Sequence, residues 1–175
     1  MQRAELGGRI YEVSHVKGDF VLSSGQPSDH YFDKYQFEAL PELLQPIAAQ
    51  LVDHIPPDTD VLAGLDMGGV PIATALSLQT GLPQAFVRKE AKKYGTRRLA
   101  EGVAIGGKNV TVIEDVITSG KQIVTAIQGL RVMEANVGYA LCVIERSPEG
   151  RAALQASGVH LTTLFTATEL KQYAD

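Results

Sequence analysis

The chain has 175 residues and a mass of 18.8 kDa, with 16 Lys+Arg against 20 Asp+Glu and a net charge of −4. At 45% hydrophobic and 21% charged, with 17 Gly and 8 Pro, it is long enough to bury the core of one domain and too apolar to be disordered, collagen-like or a coiled coil. The mild acidity argues against general nucleic-acid binding. No apolar run reaches the roughly 18 residues of a membrane span, and the start MQRAELGGRIYEV alternates charged and apolar groups, unlike a signal peptide. One cysteine, Cys142, excludes an internal disulfide and a cysteine-based zinc cluster, and the four His (15, 30, 54, 160) show no ligand spacing. A single cytosolic domain over 1–175 is the expectation.

Helical apolar spacing (Leu6, Ile10, Val13) predicts a helix over 4–14, ending before Lys17-Gly18. A second helix is expected over 40–54, with Leu43, Leu44, Ile47, Leu51 and Val52 on one face. The Pro56-Pro57-Asp58 breaker leads into a strand over 61–65, then a helix over 69–79 whose Pro71 fits only the first turn. A strand follows at 84–88. The β-branched run Asn109–Glu114 reads as a buried parallel strand, and 120–134 as an amphipathic helix. Strand 138–145, helix 148–156, strand 160–165 and a short terminal helix complete the series. This succession predicts an α/β domain with a parallel central sheet flanked by helices, whose binding sites lie at the carboxyl ends of the strands.

Three strand ends carry chemistry. After the 109–114 strand, VTVIEDVITSGKQ places two acids before a small hydroxyl-bearing turn, Thr118-Ser119-Gly120, that opens a helix. Such a turn presents free backbone N–H groups and the positive end of the helix dipole, which is a phosphate cradle. Glu114 and Asp115 stand just before it, so their targets are donors on the same ligand, such as sugar hydroxyls, or a divalent cation. A phosphorylated sugar satisfies both halves. The sequence is neither a Walker A loop nor a GxGxxG fingerprint, since Gln122 follows Lys121 and no such glycine triplet opens a helix.

Leu65–Pro71 carries paired glycines, Gly68-Gly69, which serve either a tight connection or a second anion loop. Residues 88–98 hold six of the 16 basic residues of an acidic chain. That concentration reads either as a solvated charged loop or as a mobile loop for a polyanionic ligand.

Together these segments resemble a type I phosphoribosyltransferase, and more narrowly an orotate phosphoribosyltransferase. Val110–Gln122 resembles the family's phosphoribosyl pyrophosphate signature, Arg88–Thr96 the catalytic loop of the orotate branch, and Phe20–Gly25 its amino-terminal substrate segment. Glu145-Arg146 sits where that branch places an arginine for the orotate carboxylate. The resemblance implies a Rossmann-like type I phosphoribosyltransferase fold with a small N-terminal hood (1–40), a core sheet (55–165) and a mobile catalytic loop (89–101). It implies transfer of phosphoribose from phosphoribosyl pyrophosphate to orotate, with Mg²⁺ held mainly through the pyrophosphate donor and no dedicated protein metal ligands. It also implies a homodimer whose basic loop reaches the neighbouring site.

The residues implied as catalytic are Lys92, Arg88 and Lys89. Arg88, Lys89, Lys92, Tyr94, Glu114, Asp115, Val116, Ile117, Thr118, Ser119, Gly120, Lys121, Gln122, Met67 and Gly68 are implied at phosphoribosyl pyrophosphate, and Thr118, Arg146, Ser24 and Phe32 at orotate. The sequence departs from the family at Tyr94, where many members carry His, and at Gly68, where some carry Lys. After Tyr31-Phe32-Asp33, the stretch to Glu38 is less typical. A purine phosphoribosyltransferase is the alternative enzyme, which Arg146 disfavours because a purine has no carboxylate to pair with a buried guanidinium. A phosphoribosyl pyrophosphate-sensing regulator is the alternative of another class, disfavoured because the basic residues sit in one loop.

Overall fold

The computed structural model describes residues 1–21, 25–90 and 98–174. Along them run α1 (Arg3–Ser14), β1 (His15–Val21), β2 (Pro27–Phe32), α2 (Tyr35–Glu38), α3 (Pro41–Leu51), β3 (Val61–Leu65), α4 (Gly69–Thr80), β4 (Gln84–Val87) and β5 (Ala100–Gly102). The chain continues with β6 (Asn109–Ile117), α5 (Lys121–Val132), β7 (Asn136–Glu145), α6 (Pro148–Ala156), β8 (His160–Thr166) and α7 (Ala167–Ala174).

β3 and β6 are buried along nearly their whole lengths, as runs of Val, Ile and Leu are when helices cover both faces of a parallel sheet. The six-stranded sheet has the order β5-β4-β3-β6-β7-β8. Its pairings are parallel except for β5, which runs antiparallel to β4 at one edge. One face packs against α1, α3, α4 and α7 through Leu6, Ile10, Leu43, Ile47, Ile72, Leu76 and Leu170. The other packs against α5 and α6 through Ile123, Ile127, Leu130 and Leu154, which meet Val61, Ala63, Val112 and Cys142. From β3 the chain moves outward through α4 to β4, and from β6 in the opposite direction through α5 to β7. The loops after β3 and β6 therefore open side by side onto one crevice, the switch point where ligands bind in such sheets.

The structure differs from the sequence reading in four places. The expected 40–54 helix is α3 followed by a separate 3₁₀ turn, Val52–His54. The strand expected to stop at Glu114 continues to Ile117, so both acids belong to β6 itself. β1 and β2 form an antiparallel hairpin that the sequence reading lacked, because its mostly half-buried or exposed residues show little apolar alternation. The loop expected over 89–101 ends in β5, and Arg88 N–H donates to Leu99 C=O at 2.9 Å. Ser24, Lys92 and Tyr94 lie outside the described residues. No helix among the described residues is long and apolar enough to cross a membrane.

Candidate active site

The turn between β6 and α5 forms the centre of the crevice. Gly120 has φ 76°, a left-handed conformation that only glycine adopts without strain, and there the backbone bends from strand to helix. A side chain at 120 would also meet Gly150 C=O at 3.0 Å. The N–H groups of Thr118, Ser119 and Gly120 meet no backbone carbonyl among the described residues. With α5 beginning at Lys121, they make an anion-binding concavity at the positive end of a 12-residue helix. Val116, Ile117, Thr118, Ser119, Gly120, Lys121 and Gln122 all line this cleft of about 170 Å³, together with Glu114, Asp66, Met67, Lys89, Lys34 and Tyr35. The N–H of Val116 is already committed, donating to Asp115 Oδ1 at 2.5 Å, so it is not free for a phosphate.

The two signature acids do not face the same way. Glu114 lines the cleft, whereas Asp115 has no exposed surface and does not line it. Asp115 Oδ2 lies 2.6 Å from Lys34 Nζ, and the carboxylate also shares hydrogen bonds with Glu114 and with Glu38, which is buried on α2. Burial works to raise the Asp115 carboxyl, yet hydrogen bonds from Glu114, Glu38 and Lys34 outweigh it and hold the group below the usual carboxylate range. Glu38 moves the other way: burial, then the hydrogen bond and charge of Asp115, push it up to about 9. Burial and Asp115 likewise push Glu114 well up. Burial pulls the Lys34 ammonium down, and the hydrogen bond and charge of Asp115 more than restore it, leaving it raised. Asp115, held low, is thus the acid that pairs with the Lys34 cation, while Glu38 keeps its proton at neutral pH. The sequence reading marked the stretch to Glu38 only as less typical and gave Lys34 and Glu38 no role at the site.

A pH dependence follows. The folded protein keeps the Glu38 proton to about pH 9, while an unfolded carboxyl releases it near its ordinary value of 4.5. The stability this proton contributes is complete below the unfolded value and is lost as pH rises toward the folded one, with a limiting slope of about 1.4 kcal/mol per pH unit. Glu38→Gln keeps a donor for Asp115 without the titration. It is expected to flatten the decline in urea-denaturation stability between about pH 6 and 9. An unaltered pH profile in that variant would show Glu38 ionised in the fold.

Gly68 explains why the loop after β3 carries paired glycines. A Cβ at 68 would stand 1.7 Å from Asp115 Oδ2 and 2.6 Å from Glu38 Oε1, and one at Gly69 would stand 2.2 Å from Ile113 C=O. Gly68 is buried beneath the loop and does not line the cleft, so it makes room for the acids; Asp66 and Met67, joined by a cis peptide, are the members that face it. Beyond Asp66 the cleft continues into a hollow of about 320 Å³ whose wall includes Arg88, Lys89, Lys121 and Gln122. Three cations thus converge beside the cradle.

Arg146 follows β7, its N–H donating to Ile117 C=O at 2.8 Å. Its acidic neighbour Glu145 turns inward to a forked pair with Arg151, Nε lying 3.0 and 3.2 Å from the two carboxylate oxygens. Among the described residues no ion pair occupies the Arg146 guanidinium. It lines a cavity of about 330 Å³ with Phe32, Tyr31, His30 and His15, whose imidazoles stack at 4.7 Å. The structure therefore brings Arg146 and Phe32 together and leaves Thr118, assigned to the same ligand from sequence, on the wall of the phosphate cleft.

Comparison with known proteins agrees with this geometry. Residues 35–164 match the family described as the phosphoribosyl transferase domain, which places the chain in that class. The orotate phosphoribosyltransferase of a Nocardioides species is 47% identical over 167 residues, 95% of this chain and 93% of that one. The crystal structure of the Mycobacterium tuberculosis H37Rv orotate phosphoribosyltransferase in complex with Fe(III) dicitrate matches with a TM-score of 0.85 at 30% identity, covering 96% of this chain and 98% of that one. The same enzyme in complex with 5-phospho-alpha-D-ribosyl 1-diphosphate matches with a TM-score of 0.83 at 26% identity, covering 97% and 98%. The chain belongs to the orotate phosphoribosyltransferase family.

Proposed function

We infer that this protein transfers the phosphoribosyl group from phosphoribosyl pyrophosphate to a ring nitrogen of orotate, releasing pyrophosphate and forming orotidine monophosphate. The observation that carries the reading is the set of N–H groups at Thr118–Gly120 that meet no backbone carbonyl among the described residues, in a cleft shared with Glu114 and Asp66 at the switch point of the sheet. These N–H groups, with the Thr118 and Ser119 hydroxyls, take the 5-phosphate. Glu114 meets the ribose hydroxyls. Asp115 lies directly behind it as the fixed negative charge that favours positive charge developing on the sugar. Arg88, Lys89 and Lys121 surround the diphosphate as it leaves. Lys92 is assigned to the departing oxygen.

Mg²⁺ belongs to the same reading. Among the described residues no group of three or more His, Cys, Asp or Glu side chains is placed to hold a metal, and Asp66 is the exposed carboxylate at the cleft wall. That donor set fits a cation that arrives coordinated by its substrate, and such an ion would supply charge neutralisation on the pyrophosphate oxygens. A homodimer with residues 89–101 shared between sites, and a cytoplasmic location suited to a lone buried thiol, complete the proposal.

Steady-state turnover with phosphoribosyl pyrophosphate and orotate, with and without Mg²⁺, tests it, with adenine, guanine, hypoxanthine and xanthine as competitors. Orotidine monophosphate formation that the purines leave undiminished is expected; a purine used in place of orotate overturns the reading. Arg146→Ala is expected to raise the orotate KM by about 10- to 100-fold, the value of a charge-assisted hydrogen bond, with the phosphoribosyl pyrophosphate KM moving less than about threefold. Equal effects on both substrates would remove Arg146 from the base site.

A further inference from the structure

Lys34 occupies a position that no strand-end motif announces. Its segment is fixed on both sides. Asp33 N–H donates to Ser14 C=O at 2.8 Å, and the Asp33 carboxylate receives Tyr35 N–H at 3.1 Å and Gln36 Nε2 at 2.9 Å. Phe37 and Glu38 are buried directly after it. The ammonium lies 2.6 Å from Asp115 Oδ2, the atom 1.7 Å from where a Gly68 Cβ would stand. Lys34 and the loop after β3 therefore meet the same Asp115 carboxylate oxygen. Its side chain is 34% exposed and lines the cleft that holds Asp66, Met67 and the Thr118–Gly120 turn.

An ammonium carries three N–H donors. Among the described residues Lys34 forms an ion pair with Asp115 at 2.6 Å, and the Tyr35 ring lies 5.3 Å from Nζ. Two donors remain for a ligand. A lysine that served only to neutralise Asp115 could do so from the interior. This one stands in the cleft wall, where a bound anion would meet its unused donors.

We propose that Lys34 is a further ligand-binding cation, held by Asp115 beside the Gly68 loop, that grips the diphosphate of phosphoribosyl pyrophosphate. The proposal rests on the function inferred above. Because Asp115 has already fixed the long side chain, less rotamer freedom is lost when the diphosphate arrives.

The test compares two probes that share the sugar phosphate and differ in the diphosphate. Isothermal titration of the wild-type protein, Lys34→Gln and Lys34→Arg is run with phosphoribosyl pyrophosphate and with ribose 5-phosphate. Lys34→Gln keeps a neutral donor toward Asp115 and removes the charge, Lys34→Arg keeps the charge, and urea denaturation of both checks that they fold. The expected result is a loss of about tenfold or more in phosphoribosyl pyrophosphate affinity, with ribose 5-phosphate affinity within about threefold of wild type, and recovery of most of the loss in Lys34→Arg. Equal weakening of both probes would reduce Lys34 to a support for Asp115, and no weakening of either would remove it from the site; both results overturn the proposal alone. A wild-type protein that binds neither probe overturns the inferred function, and this proposal with it.

Discussion

Gly68→Ala is expected to lower kcat/KM for phosphoribosyl pyrophosphate by about 10³-fold and to cost roughly 3 kcal/mol of stability. The added methyl would stand 1.7 Å from Asp115 Oδ2 and 2.4 Å from its Cγ, separations that no rotamer change of an alanine relieves. Asp115 cannot retreat, since it is fully buried, bonded to Val116 N–H at 2.5 Å and paired with Lys34 at 2.6 Å. Either the acid or the loop after β3 must move, and both are parts of the site. Gly138→Ala is the control, because a Cβ there meets nothing within 4 Å. Steady-state kinetics and urea denaturation of the two variants check the argument. Near-parental kinetics in Gly68→Ala would show that the acids do not pack beneath that loop.

Much of this arrangement is legible in the sequence, for physical reasons that also mark where legibility ends. Asn109–Glu114 reads as a strand because a dense β-branched run has few other stable homes, and Thr118-Ser119-Gly120 reads as a cradle because small residues at a strand–helix junction leave N–H groups free. The paired glycines allowed two readings, and the structure divides them along the chain: Gly68 and Gly69 serve close packing, while Asp66 and Met67 face the cleft. The orientation of Asp115 was not legible. In a strand, neighbouring side chains point to opposite faces, so Glu114 and Asp115 part company although the motif presents them as a pair. Lys34 and Glu38 were out of reach because α2 is four residues long, too short to show a period, and because their partner lies far along the chain. Nor could the dipeptide Glu145-Arg146 disclose that Glu145 pairs with Arg151 rather than with its neighbour.

The protonation pattern of the three buried acids separates two substitutions that the sequence motif treats alike. Burial and Asp115 push the Glu114 carboxyl toward its neutral form, so Glu114→Gln changes its charge less than the motif suggests and is expected to cost less than about tenfold in kcat/KM. Asp115 is held low, and Asp115→Asn removes the carboxylate that pairs with Lys34. About 10³-fold is expected to be lost, because Lys34 is no longer held in place and the sugar loses the fixed charge behind it. Stability falls by only about 1 to 2 kcal/mol, less than for a fully enclosed pair, since the partly exposed Lys34 ammonium can turn to water. The missing anion also lowers the carboxyls it had been raising. Burial still holds Glu38 up, but the hydrogen bond and charge of Asp115 no longer add to it. Glu38 or Glu114 then ionises beside Lys34 as pH rises, and Asp115→Asn is expected to regain part of its activity between about pH 6 and 9 while Glu114→Gln shows no such gain. Equal losses in the two variants, or a flat pH–rate profile for Asp115→Asn, would show that the negative charge does not reside on Asp115.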